Sequence, residues 1–313
     1  MKKKMFLMAL IATSMLYADD FYESNASVNL EETVISTTGF EEKTQNIIST
    51  VTVITSEDIS KKNYKTVVDV LSSVGTLNMT GNTVLGSTID LRGQGSRTRS
   101  NVQVLVDGVS LNSLDTEHGV FPFDSININT VERIEIISGG GAVVYGSGTS
   151  GGVINIITKN GFSSDKKISG TIGTEIGSYN SYTYKGNVIG QVTDNLQIGL
   201  DYLHGNSDNY REGSEYDKDN YGISLNYKID NNQKINFKYT KYTNDYSSPA
   251  VLTQAQLDKD RDGASTSETD YQADKDSYSL VYDYNMKDNL KFNLLSSYYN
   301  SVSESSTSTS ITN

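Results

Sequence analysis

The hydrophobic pattern of the chain changes near residue 167. Beyond that point apolar and polar residues alternate strictly. Tyr221, Ile223, Leu225, Tyr227 and Ile229 alternate with Gly222, Ser224, Asn226, Lys228 and Asp230. Tyr278, Leu280, Tyr282 and Tyr284 alternate with Ser279, Val281, Asp283 and Asn285. A period of two marks strands with one apolar face. Seven such runs are readable, at 168–176, 182–190, 196–203, 221–229, 235–239, 278–285 and 290–298. The connections alternate as well. Short turns fall at 191–195, 230–233 and 287–289, and long polar loops at 206–220 and 244–276. Short turns opposite long loops, with Tyr near the strand ends, predict antiparallel transmembrane β-barrel strands rather than a soluble sandwich. The first hairpin, at 177–180, is short on what should be the outer side. A short helix is expected within 247–262, with Pro249 in its first turn.

Between about residues 51 and 159 the pattern is mixed. The β-branched run 51–54 predicts a strand, and Ser56-Glu57-Asp58 supplies the N-cap and acidic first turn of a helix. Val67, Val70 and Leu71 recur at helical spacing, with Gly75 as the stop. Strands follow at 89–91, 102–106, 131–137 and 153–158, separated by Gly turns. Short strands mixed with short helices predict a small α+β domain.

The first residues read as an address. Lys2, Lys3 and Lys4 precede an apolar run, 5–16, too short to span a bilayer, and Ala18 precedes Asp19-Asp20. This pattern predicts a signal peptide over 1–18. Its removal makes a chain of net charge −12 more acidic still, which argues against a nucleic-acid partner. No run of about 20 apolar residues is present, which excludes a polytopic helical membrane protein. The absence of Cys excludes disulfide scaffolds, Cys-ligated zinc and iron–sulfur sites. Two histidines, His118 and His204, leave few His-based centres. The 21 tyrosines, against eight Phe and no Trp, favour strands.

Several motifs invite chemistry. Gly146-Ser147-Gly148-Thr149-Ser150-Gly151 matches a dinucleotide fingerprint, with Asp165 about 20 residues on. That fingerprint requires a helix after it, and 153–158 reads as a strand. Gly148-Thr149-Ser150-Gly151-Gly152 matches a nucleophile elbow, which also requires strand–turn–helix. The one downstream His, His204, sits in a barrel strand. The glycines therefore read as tight turns, with no catalytic residue and no cofactor expected. Asp258-x-Asp260-x-Asp262-Gly263 resembles the start of a calcium loop, but Thr269 takes the twelfth position and Glu268 the eleventh. A weak Ca²⁺ site and a solvated acidic loop both remain open there. Arg92, Arg97 and Arg99 stand out in an Arg-poor sequence. The pair Arg97–Arg99 lies in a Gly-rich loop, as forked donors for an anion or as solvated side chains. His118 reads first as a lone surface histidine.

Glu31-Glu32-Thr33-Val34-Ile35-Ser36-Thr37 is a short β-prone stretch after a polar linker. Leu91-Arg92-Gly93 and Val104-Leu105-Val106-Asp107-Gly108-Val109 are strand–turn motifs. Val131-Glu132-Arg133-Ile134-Glu135-Ile136 is followed by Tyr145-Gly146-Ser147-Gly148 and by Gly151-Gly152-Val153-Ile154-Asn155-Ile156-Ile157-Thr158-Lys159. In order and spacing the chain resembles a TonB-dependent outer-membrane receptor. The resemblance implies a periplasmic linker with the TonB box over 19–44, a plug domain over 45–160 and the N-terminal part of a barrel over 161–313. One departure stands out. The family usually carries Arg-Gly-Pro after the Val-Glu-Arg strand, and this chain has Ser138-Gly139-Gly140. The resemblance implies plug arginines that pair with barrel glutamates. Arg92 matches one such position and Ser138 replaces the other, which puts that lock in doubt.

What the resemblance implies is active import across the bacterial outer membrane. The plug and TonB box would lie on the periplasmic side. The inner-membrane TonB complex would pull on the box, which can pair by strand addition. The loops 81–101 and 110–121 would form the plug apex, with Arg97, Arg99, Asn112 and His118 facing a small ligand. A ferric siderophore is the first expectation for cargo, with vitamin B12 or haem as alternatives. A non-transporting surface-binding protein is the alternative of another class. Partners would be TonB, outer-membrane lipid and the ligand. A plugged transporter barrel has about 22 strands, and seven are readable here. The stretch 305–313 is polar and lacks a terminal aromatic strand. The expectation is a plug followed by an incomplete barrel, in a truncated receptor.

Overall fold

The structure is a computed structural model that describes residues 33–35, 41–43, 50–80, 87–91, 101–111, 123–138, 148–159, 167–263, 267–287 and 290–309. Strand β1 (Thr33–Ile35) pairs antiparallel with β2 (Glu41–Lys43). The β-branched run forms β3 (Thr50–Thr55), which feeds α1 (Ser56–Lys61). The cap lies one residue earlier than the sequence suggests. The Thr55 hydroxyl accepts from the Asp58 amide, and the Asp58 carboxylate accepts from the Thr55 amide. Helix α2 (Val67–Ser72) repeats the device with Thr66 and Asp69. Six residues are too few to hold a helix alone. The two capping boxes and the burial of Ile59, Val67, Val70 and Leu71 hold these two.

The remaining strands of this domain are β4 (Leu77–Thr80), β5 (Thr88–Leu91), β6 (Val102–Val106), β7 (Val109–Ser110), β8 (Val131–Ser138) and β9 (Gly152–Thr158). Strand β4, which pairs with β5, has no counterpart in the sequence reading. The main sheet has the order β3-β8-β9-β6-β7 and is parallel only between β6 and β9. One face carries Val102, Val104, Ile134, Ile136, Ile154 and Ile156 into the core against α2 and Phe123. The other face buries Leu105, Ile137 and Val153 against Val51. Both faces are covered, so β9 reads as a continuous apolar run rather than an alternation. The strand that follows Gly151 confirms the physical objection to both Gly-motif readings.

The second region is a meander of β10 (Ile168–Ile176), β11 (Tyr182–Gln191), β12 (Leu196–Ser207), β13 (Tyr216–Lys228), β14 (Gln233–Pro249), β15 (Ser267–Lys287) and β16 (Leu290–Thr309). Each strand pairs antiparallel with the next, in an unclosed seven-stranded sheet that we call the wall. Register fixes the faces. Asn187, Asp201, Gly222, Thr240 and Ser277 form one cross-strand row that faces the first domain. The opposite face carries exposed Ile172, Val188, Leu200, Ile223, Leu280 and Leu294. Tyr202 packs beside Tyr221 at 5.0 Å and Tyr239 beside Tyr278 at 4.9 Å above this band, and Tyr282 meets Phe292 at 6.2 Å lower down.

Three boundaries differ from the sequence reading. The upper strands are longer than their apolar runs. Strand β15, at 21 residues, is about 70 Å long at roughly 3.3 Å per residue, against the 9–11 residues or so that cross a bilayer. The tyrosines therefore flank the apolar band within the strands rather than marking their ends. The loops shrink accordingly to 208–215 and 250–266. Pro249 is the last residue of β14, and the short helix, α3 (Gln254–Lys259), starts from a capping box of Thr253 and Gln256.

Gly152 tests the packing of the first domain. Its φ is +146°, and a Cβ there would sit 2.5 Å from the Ile137 carbonyl oxygen and 2.5 Å from Leu91 Cδ2. Gly152→Ala is expected to cost about 3 kcal/mol, read as lost amide protection in β8 and β9. Gly75→Ala, with open space around the added methyl, is expected to stay within about 0.5 kcal/mol of the parent.

Candidate functional site

The site is the seam between the first domain and the polar face of the wall. The turn Asp107-Gly108 joins β6 to β7, with φ of 51° and 83° at the two positions, the left-handed pair that a two-residue hairpin requires. The turn aims the Asp107 carboxylate at two elements. It accepts from the Thr158 amide at 2.8 Å and the Thr158 hydroxyl at 2.7 Å, at the end of β9. Lys238 of β14 reaches it at 3.0 Å and also touches Thr158 Oγ1 at 3.2 Å. Burial pushes the Asp107 carboxyl up. The Lys238 charge and the Thr158 donors outweigh that and hold it below the usual carboxylate value.

Further contacts run along the same seam. Lys65, just before α2, meets Glu175 of β10 at 3.1 Å, and Lys185 of β11 holds the same carboxylate oxygen at 2.6 Å. The Asn220 amide donates to the Ser125 carbonyl. Asn127 donates to the Tyr202 carbonyl at 3.5 Å. A cavity of about 100 Å³ opens beside these contacts, between Asp107, Asn127 and Thr158 on one side and Asp201, Lys238 and Lys275 on the other. The seam thus carries many polar contacts, unlike the cores on either side of the domain's own sheet, although Val109, Leu111, Ile126 and Tyr242 also line its cavity. Within that sheet, the fully buried Glu135 carboxylate is held by Arg133 at 2.8 Å and Asn155 at 3.4 Å.

The residues singled out in the sequence distribute unevenly. Thr33, Val34 and Ile35 form β1, as an extended stretch should, while Glu31, Glu32, Ser36 and Thr37 lie outside the described residues. Arg92, Arg97, Arg99, Asn112 and His118 also lie outside them. Asp258, Asp260 and Asp262 are described but do not converge on one point. Asp258 accepts from Gln254 within α3, and Asp262 beside Asp260 pushes the Asp260 carboxyl up. The anchors Lys65, Asp107, Glu175 and Lys238 were missed. The one available signal was a lysine at an inward position of an alternating strand.

The comparisons bear on this arrangement of a small domain against a polar wall. The family model described as TonB-dependent Receptor Plug Domain matches residues 43–153. The vitamin B12 transporter BtuB of Vibrio vulnificus is 30% identical over 164 residues, 52% of this chain and 26% of that protein. The iron-regulated outer membrane virulence protein of Vibrio cholerae is 32% identical over 160 residues, 48% of this chain and 23% of that protein. Residues 43–153 thus match the plug domain of TonB-dependent receptors, and the chain is similar to such receptors beyond it. It spans about a quarter of the length of these curated relatives. Among solved structures, the ferric yersiniabactin uptake receptor FyuA from Yersinia pestis superposes with a TM-score of 0.69 at 20% identity, over 82% of this chain and 41% of that one. The ferric citrate transporter FecA gives 0.67 at 23% identity, over 82% and 40%. These likenesses show the fold: a plug against barrel strands.

The Asp107–Lys238 contact is about a quarter exposed on each side, so its loss is moderate. Asp107→Asn is expected to cost about 1–3 kcal/mol, read as faster hydrogen exchange at the Thr158 amide. The sign with pH follows from the lowered carboxyl. Its contribution is complete above about pH 4 and is lost as pH falls through the lower folded value. Thr158 protection should hold steady from pH 7 to about pH 4 and fall below it, and Asp107→Asn should abolish that fall.

Proposed function

We propose that this receptor imports a scarce ligand, a ferric siderophore, through the outer membrane with energy supplied by TonB. The observation that carries the reading is the plug's seat on the wall. It is held by a row of ion pairs and hydrogen bonds, with a cavity left between the two. Polar contacts of this kind can be exchanged for contacts with water when the two parts separate. The stretch 31–37 takes the part of the TonB box and engages the partner by strand addition. The ligand approaches from outside, above the long strands of β14 to β16, and the plug and box face the periplasm. Arg97, Arg99, Asn112 and His118 serve as ligand contacts at the plug apex, and Arg92 as a plug–barrel lock. Vitamin B12 is the second reading for cargo. It is favoured by the transporters of that name among the relatives. No catalytic step is assigned, since binding and translocation break no bond in the cargo.

Deleting residues 31–37 from a version with a complete barrel tests the reading. Energised uptake of the ferric siderophore into cells should fall to the level of a strain without the gene, while binding to the cell surface stays within about twofold. Unchanged uptake would contradict transport and favour a surface-binding role. Orientation has its own test. Protease added to intact cells should cut within 208–215, between β12 and β13, and leave the turn at 192–195 intact. The reverse pattern would invert the topology.

A further inference from the structure

We propose that His204, Asp217 and Asp219 form a divalent-cation site of the zinc type on the outward face of the wall, immediately above the upper tyrosine row. Register places the three residues together. His204 of β12 lies directly opposite Asp219 of β13, and Asn206 opposite Asp217. All are on the face that carries Tyr202 and Tyr221 rather than the face toward the plug. Nδ1 of His204 is 3.2 Å from Asp219 Oδ1 and 3.8 Å from Asp217 Oδ1. One ligand atom from each residue lies within 4.8 Å of the others. Two ligands about 2.0–2.1 Å from a tetrahedral ion stand about 3.4 Å apart. The two imidazole–carboxylate separations bracket that value.

The surroundings orient the three groups. The His204 ring stacks on Tyr184, at 6.3 Å and 10° between planes, and Tyr182 contacts it at 5.6 Å. Tyr202 Oη donates to Asp219 at 3.0 Å. Asn206 donates to Asp217 Oδ2 at 3.2 Å, which leaves Oδ1 toward the histidine. Such outer partners fix ligand geometry in metal centres. Charge points the same way. Asp217 also faces Asp245 across β14, and like charges directly opposite are unfavourable on a sheet. Lys241, on the same face of β14, is taken up with Asp274 at 2.9 Å and Asp276 at 3.7 Å. A single imidazolium would balance one carboxylate and leave the other. The donor set selects the ion. Calcium and magnesium take oxygen ligands, whereas one imidazole with two carboxylates suits zinc and leaves a fourth position open. The ion would pin β12 to β13 where they leave the membrane.

The test is zinc binding by the receptor purified in detergent and stripped with chelator. Equilibrium dialysis should show one equivalent bound at micromolar free zinc, and Co²⁺ should give the strong visible bands of tetrahedral coordination. His204→Gln and Asp219→Asn should each weaken binding at least about tenfold. Asp230→Asn, in a distant turn, should leave it unchanged. Heat-modifiable gel mobility reports whether each variant folds. If His204→Gln does not, the parent's cobalt spectrum decides. No saturable zinc binding, or no tetrahedral cobalt bands, overturns the proposal. So does binding by folded His204→Gln as tight as the parent's.

Discussion

Lipid offers a backbone amide no partner, and the rest of this molecule follows from that constraint. An unsatisfied N–H or C=O in hydrocarbon costs several kcal/mol, so a spanning strand must pair along its whole buried length. Strands β11 to β15 pair with a neighbour on each side, and β10 and β16 pair on one, with a single irregularity near Asn285–Lys287. Once pairing is fixed, the period of two assigns every side chain to one face or the other. The outward face takes Leu200, Ile223 and Leu280 between tyrosine rows. The inward face takes Gln197, Asn220, Asn226 and Lys238, which require hydrogen-bonding neighbours or water.

The plug answers that inward face with a polar surface of its own. Lys65, Asp107 and Asn127 meet the wall, while Val104, Ile134, Ile136 and Ile154 pack among themselves. The energies differ in kind. Each fully buried aliphatic side chain contributes about 1.5–3 kcal/mol to holding the plug together. Each polar contact across the seam adds about 1 kcal/mol, and somewhat more where a charge is involved. The domain is therefore more cohesive within itself than with its seat. The buried Glu135–Arg133 pair belongs to the cohesive part, whereas the partly exposed Asp107–Lys238 pair belongs to the seam.

Strand number was legible in the sequence because apolar–polar alternation persists wherever lipid lies on one side. Strand length was not, because above the membrane both faces are wet. The Ser267–Lys275 half of β15 is polar at nearly every position, so no period marks it, yet its backbone ladder continues. Pro249 misled for a related reason. Its fixed φ suits a helix start and equally the end of a strand, and Thr253 with Gln256 sets the real start. In the plug, Asp107-Gly108 was readable as a turn, but its anchor Lys238 lies 131 residues away. Only the fold brings them together. The same holds for His204 and Asp219, which adjacent-strand register joins.

The central claim is that the wall presents lipid on one face and the plug on the other. The absence of cysteine from the chain makes single-cysteine scanning clean. Cysteines placed one at a time from 220 to 227 in β13 would be probed in the outer membrane with a lipid-soluble thiol reagent. Positions 221, 223, 225 and 227 should react, and 220, 222, 224 and 226 should be shielded. Uniform reactivity, or reaction at the even positions, would contradict the account.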